Sequence, residues 1–145
     1  MKFGLQRKHG SLNSKPVFDA VAEGLTKLGH TVVNDTVDCD VPVLWSMLWH
    51  GRMKDNKKIY ESALAQQKKV LFLEVGGIKR NITWKVALNG INRLGYFGPL
   101  DNDDSRAKLL GLKLKDIKKG DNILVCCQHD KLSLIHISEP TRRPI

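Results

Sequence analysis

Two stretches of this 145-residue chain gather side chains able to do chemistry. The first is WSMLWHGRM, residues 45–53. Its His50 could serve as a general base or as a neutral hydrogen-bond partner. Gly51 lets the backbone come close to a ligand, and Arg52 carries a planar fork of donors suited to phosphate. Together His50 and Arg52 read as groups that meet a phosphorylated molecule. Trp45 and Trp49 are four apart, so in a helical segment they would stack on one face, either in the core or at an interface.

The second stretch is EVGGIKRNITW, residues 74–84. Glu74 emerges directly from an apolar run, where a carboxylate is costly unless it is paired or stands at the mouth of a cleft. It could bridge to Arg80, act as a catalytic base, or accept a sugar hydroxyl. Lys79, Arg80 and Asn81 follow as candidate substrate- or phosphate-binding groups. Gly76-Gly77 is only a weak phosphate-loop signal, because both the GxGxxG and GxxxxGK[ST] spacings are missing. In LNGINR, Asn89, Asn92 and Arg93 offer amides beside Gly90 or simply make turns. A third segment, RKHGSLNSK at 7–15, can supply backbone donors next to Lys8 and Lys15, with a following helix aiming its positive end at the same place. Metal-ligand spacing is lacking: the five histidines are isolated, and Asp101, Asp103 and Asp104 lack the later ligands of a calcium loop. There is no GxSxG nucleophile elbow.

The charge balance fits anionic partners. Against 15 Asp+Glu the chain has 24 Lys+Arg, a net charge of +9. Such an excess attracts phosphorylated small molecules, nucleic acid or anionic polymers alike. The lysines occur as scattered pairs, so much of the excess reads as a solvated face. The three cysteines, Cys39, Cys126 and Cys127, do not form a CxxC and read as small buried hydrophobes, which fits a reducing, cytoplasmic setting. No run approaches the roughly 20 apolar residues of a membrane span, and the N-terminus lacks the apolar core of a signal peptide. Membrane insertion is therefore not expected.

The elements that would hold these groups alternate. KFGLQ at 2–6 reads as a strand. Ser14 as cap, Pro16 in the first turn and the apolar set Val17, Ala20, Val21, Leu25 and Leu28 predict a helix that stops at Gly29. HTVV at 30–33 predicts a second strand and the first half of VPVLWSMLW a third. A helix is predicted over Asp55–Gln67, with Ile59, Ala63 and Leu64 on one side. The run Val70–Leu73 predicts a central strand covered on both faces. Residues 76–101, dense in glycine and asparagine, predict an elaborated loop. A short helix at Asp104–Leu110 and a strand at 122–128, NILVCCQ, complete the set. The expected class is α/β, an open and mostly parallel Rossmann-like sheet with flanking helices. Its productive crevice should lie beyond the carboxyl ends of the strands.

WSMLWHGRM, EVGGIKRNITWKVALNGINR, DNDDSRAKLLGLKLKD and GDNILVCCQ resemble a group of uncharacterised viral and bacterial proteins. That group looks like the front half of two-domain, GT-B-like glycosyltransferase enzymes. The resemblance covers most of residues 1–131 and implies one wall of a cleft, the acceptor-side half of an enzyme moving a sugar or phosphorylated polyol to a hydroxyl. It implies a nucleotide-sugar or similar activated donor for the full-length parent and a phosphorylated small molecule or glycan as ligand. His50 or Glu74 would be the base, with Arg52, Lys79, Arg80 and Asn81 lining this side. For a viral member the setting would be the host cytoplasm. The other expectation open from the same residues is a basic module binding nucleic acid or an anionic polymer, with Trp45, Trp49, Trp84, Tyr96 and Phe97 as stacking surfaces. Residues 132–145, LSLIHISEPTRRPI, form a separate expectation: Leu132 to Arg142 resemble the translation of a transposase-type sequencing adapter. On that reading the natural domain is residues 1–131, truncated before a second domain and inactive alone. His136, Glu139, Arg142 and Arg143 of the non-native tail would then have no functional role.

Overall fold

A computed structural model describes residues 1–79, 81–99 and 103–113. The expected strand at 122–128, Cys126 and Cys127, and the tail at 132–145 lie outside the described residues, as does Arg80. Among the described residues five strands form one sheet: β1 (Lys2–Leu5), β2 (Thr31–Asn34), β3 (Val41–Trp45), β4 (Leu71–Val75) and β5 (Trp84–Leu88). The order across the sheet is β2-β1-β3-β4-β5. The first four are parallel, and β5 runs antiparallel to β4. Three helices flank them: α1 (Lys15–Lys27), α2 (Lys54–Ala65) and α3 (Ser105–Leu109). The fold is an open, mostly parallel Rossmann-like α/β sheet.

Helix α1 forms and stops for local reasons. Pro16 lies in its first turn, where a missing amide proton costs nothing. Ser14 occupies the cap position, but its hydroxyl donates backward to the Ser11 carbonyl (2.7 Å) instead of accepting from the helix. The helix end is a Schellman closure: Gly29 N–H donates to Thr26 O (2.9 Å) and His30 N–H to Leu25 O (3.0 Å). Gly29 takes the required left-handed turn, φ +78°. On α2, Ile59 and Ala63 face inward as expected, whereas Leu64 is on the solvent side.

The chain steps one way from β1 to β2 and the other way from β3 to β4, so right-handed crossovers put α1 and α2 on opposite faces. The strand alternation shows this directly. Val43, Trp45 and Leu73 pack with Val17 and Phe18 of α1. Leu44, Phe72 and Val70 pack with Ala63 of α2. Cys39 is buried beneath β1; its thiol is pushed up by desolvation and is a packing group, not a nucleophile. Among the described residues no helix is long and apolar enough to cross a membrane.

Two expectations need correction. WSMLW is not helical: Ser46, just past β3, takes a left-handed φ of +61° and turns the chain across the sheet edge. Trp45 therefore packs on the α1 face beside Phe18 and Trp84, while Trp49 stacks on Tyr60 of the α2 face. The stretch 76–101 is also more regular than expected, since it contains β5, whose outer edge is extended by an antiparallel bridge from Leu88 to Tyr96. Trp84, Val86 and Leu88 pair across from Val75, Leu73 and Leu71, a period-two pattern hidden by its glycine- and asparagine-rich flanks.

Trp45 is 2% exposed and lies with its ring centroid 6.2 Å from Phe18 and 5.9 Å from Trp84. Trp45→Ala should lower unfolding free energy by about 3–5 kcal/mol, read as an earlier urea midpoint at unchanged slope.

Candidate functional site

Between β1 and β3 the chain reverses its direction of travel across the sheet, which opens a crevice at their carboxyl ends. The loop after β1, the start of α1, the end of β2 and the turn before α2 all reach it. The hollow measures about 450 Å³ and is lined by Arg7, Lys8, Gly10, Ser11, Leu12, Ser14, Lys15, Asp35 and Arg52. Four cations from three separate segments thus face one space against a single lining carboxylate.

Arg7 is the most constrained of the four. Its Nε donates to Asn34 Oδ1 (2.6 Å) and its Nη1 to Asp19 Oδ1 (2.7 Å), while its guanidinium lies over the Phe18 ring at 5.7 Å. Lys15 also reaches Asp19, at 3.0 Å, so one carboxylate orients two cations. Hydrogen bonds from Lys15 and then Arg7 hold the Asp19 carboxyl below the usual range, and it stays ionised at neutral pH. Two of the five guanidinium donors are used, leaving the rest in a fixed orientation. Lys8 and Arg52 are exposed, and neither side chain meets a carboxylate among the described residues. The α1 end adds less than a helix start ordinarily does: Pro16 has no amide proton, and Val17 and Phe18 already donate to Ser14 O.

The walls are fixed by buried amides. Asn56, on α2, is fully buried and donates through Nδ2 to His9 O (3.3 Å) and to Trp45 O (3.1 Å). It ties the loop after β1 to the end of β3. Its Oδ1 has no partner among the described residues. Swapping the amide would aim oxygen at two carbonyls, so the orientation is forced. Gln6, 1% exposed, donates to Thr36 O (2.6 Å) and anchors the segment after β2. A Cβ at Gly10 would strike Ser14 Oγ and crowd the Phe18 ring, so a larger residue there would displace the serine hydroxyl.

The sequence-predicted residues divide between two places. Arg52 lines the crevice. His50, two residues earlier, is exposed and opens the short 3-10 turn Gly51–Met53; Gly51 turns the chain there at φ +58°. Glu74 lies on β4 opposite Lys85, and its Oε1 accepts the Val75 N–H (2.7 Å). Lys79 and Asn81 shape the β4–β5 hairpin, with left-handed φ of +47° and +66°, and Lys79 Nζ donates to Leu110 O. Neither Glu74, Lys79 nor Asn81 lines the crevice. The hairpin and α3 enclose a separate, mainly apolar hollow of about 400 Å³ that includes Ile78, Trp84 and Leu110. Gly76 is needed there for packing, since a Cβ would meet the Thr83 carbonyl. Asn89 and Asn92 make turns at positive φ, and their side-chain oxygens accept from Val70 N–H and Lys85 Nζ.

Sequence reasoning missed Asp35, Asp19 and Asn56. Asn56 had a signal: it shares the helical spacing of Ile59, Tyr60 and Ala63, a polar residue on an apolar stripe. Among the described residues no three His, Cys, Asp or Glu side chains converge as a metal site. Compared with family models, curated proteins and solved structures, the chain shows no significant match.

Asn56→Ala should strip two buried carbonyls of their donor and cost about 2–4 kcal/mol. Amide hydrogen exchange should accelerate more in the segments after β1 and β3 than in the β4–β5 hairpin.

Proposed function

We propose that this domain binds the phosphoryl group of a small phosphorylated molecule in the β1/β3 crevice. The supporting observation is the convergence of Arg7, Lys8, Lys15 and Arg52 on one hollow at the reversal point of the sheet. Arg7 enters it already oriented by Asp19 and Asn34, so little side-chain entropy is lost on contact with an anion. Lys8 and Arg52 form no ion pair among the described residues, and the four cations outnumber the lining carboxylate, Asp35. Phosphate oxygens are the natural partners of such a mixture of fixed fork and mobile ammonium.

In a glycosyltransferase-like parent, this reading makes the domain the acceptor-side half, holding a phosphorylated acceptor or polyol. His50 is then the candidate base favoured by position, because it is two residues from Arg52. Glu74 is less favoured, with one oxygen engaged by the Val75 amide. Stacking of a single nucleic-acid strand at the crevice has less support: Trp45 is buried, Trp49 is stacked on Tyr60, and the exposed Tyr96 and Phe97 do not line it.

Calorimetric titration with inorganic phosphate tests the proposal. Lys8→Ala and Arg52→Ala should each weaken binding by about tenfold, near 1.4 kcal/mol, with unchanged circular dichroism. Absence of phosphate binding, or binding indifferent to both substitutions, would overturn it. Generic oligonucleotide binding that falls steeply with salt and ignores Arg52→Ala would instead identify a distributed basic surface.

A further inference from the structure

One group in the crevice works against an anion. Asp35 follows β2 directly and lines the same hollow as Arg7, Lys8 and Arg52. Its backbone N–H donates to Leu5 O (2.8 Å), and its Oδ1 accepts the Lys8 N–H (3.0 Å). These bonds pin the carboxylate beside the loop that carries the cations. Among the described residues Oδ2 has no hydrogen-bond partner and no cation forms an ion pair with it.

A negative charge here repels a bound phosphate and weakens it. The structural job does not need that charge. An asparagine oxygen could also accept the Lys8 amide proton, and asparagine tolerates the left-handed φ of +51° found at this position. The charge has a use if the ligand brings a hydroxyl, because a carboxylate oxygen is a stronger acceptor than a neutral amide. The hollow of about 450 Å³ is larger than a phosphate group and falls within the size range of small-molecule clefts. In doubly wound sheets, the end of the second strand is also where a carboxylate can reach a ligand's ring hydroxyls while the first loop meets its phosphate.

We infer that Asp35 is a hydroxyl acceptor that makes the crevice selective for a phosphorylated polyol or pentose over a plain phosphate ester. The inference rests on the phosphoryl-binding reading of the crevice and adds the part of the ligand beyond the phosphorus. Arg7, Lys8 and Arg52 hold the phosphoryl oxygens, and Asp35 Oδ2 takes a hydroxyl proton from the attached carbon skeleton. Asp35 thus trades total affinity for discrimination.

The test compares two esters by calorimetry: methyl ribofuranoside 5-phosphate and tetrahydrofurfuryl phosphate, the same ring without hydroxyls. The wild-type protein should prefer the first by about tenfold or more. In Asp35→Asn, the preference should fall below about threefold, and the hydroxyl-free ester should bind at least as tightly as to wild type because the repulsion is gone. Equal binding of the two esters by the wild-type protein would overturn the inference while leaving the phosphoryl site standing. An unchanged preference in Asp35→Asn would do the same. If neither ester binds, the phosphoryl reading falls and this inference with it. Should Asp35→Asn fail to fold, the wild-type comparison still decides.

Discussion

The side chain of Asn56 donates to two carbonyls that belong to different loops, one after β1 and one at the end of β3. Trp45 O belongs to the last residue of β3 and His9 O to the turn after β1, and the Asn56 amide on α2 donates to both. Burial of an unpaired carbonyl costs about 1–3 kcal/mol, comparable to a sizeable fraction of a small domain's stability. A single amide thus sets how far apart the two lips of the crevice stand. The same side chain leaves Oδ1 without a partner among the described residues, so the staple itself has a desolvation cost. An aliphatic side chain would avoid that cost but would leave both carbonyls without the Asn56 donor.

From that constraint the charge arrangement follows. With the lips fixed, Arg52 from the turn before α2 comes to the same hollow as Arg7 and Lys8 from the loop after β1. Like charges brought together repel, and the fold offsets this unevenly. Asp19 neutralises part of the Arg7 and Lys15 charge at 2.7 and 3.0 Å, but these contacts are solvent-exposed and contribute little to stability. Their larger effect is orientation: Arg7 is held from three directions by Asp19, Asn34 and Phe18. Lys8 and Arg52 form no ion pair among the described residues, so the four cations outnumber the Asp35 carboxylate that shares the hollow, and not all of the ligating groups are immobilised.

The parallel part of the fold was legible because its signals are local. Pro16 and Gly29 bound α1, and the uninterrupted apolar run at Val70–Leu73 marks a strand buried on both faces. β5 was not, although Trp84, Val86 and Leu88 alternate correctly. Its turns are built from Lys79, Asn81, Asn89 and Asn92 at positive φ, and such composition resembles irregular loop. Ser46 misled in another way: a left-handed turn at a buried serine is set by the Leu73 carbonyl and by Met47 packing toward α2, not by its own preference. Of the site, Arg52 was readable because an arginine after a glycine needs no partner to look like a phosphate ligand. Asn56 and Asp35 acquire meaning from residues 47 and 27 positions away, and no local pattern encodes those pairings.

The hairpin hollow and the β1/β3 crevice also differ in kind, and that difference bears on how the sheet is used. The hairpin hollow is walled by Ile78, Trp84, Ala107 and Leu110, and its glycine is demanded by backbone crowding at Thr83. It is a place where apolar surface meets apolar surface. The β1/β3 crevice is lined by solvent-facing ionic groups on loops whose backbone is tied down by the buried side chains of Asn56 and Gln6. The antiparallel β5 strand lies at the far side of β4 from that crevice, so the extra strand can extend the sheet without closing the reversal point between β1 and β3.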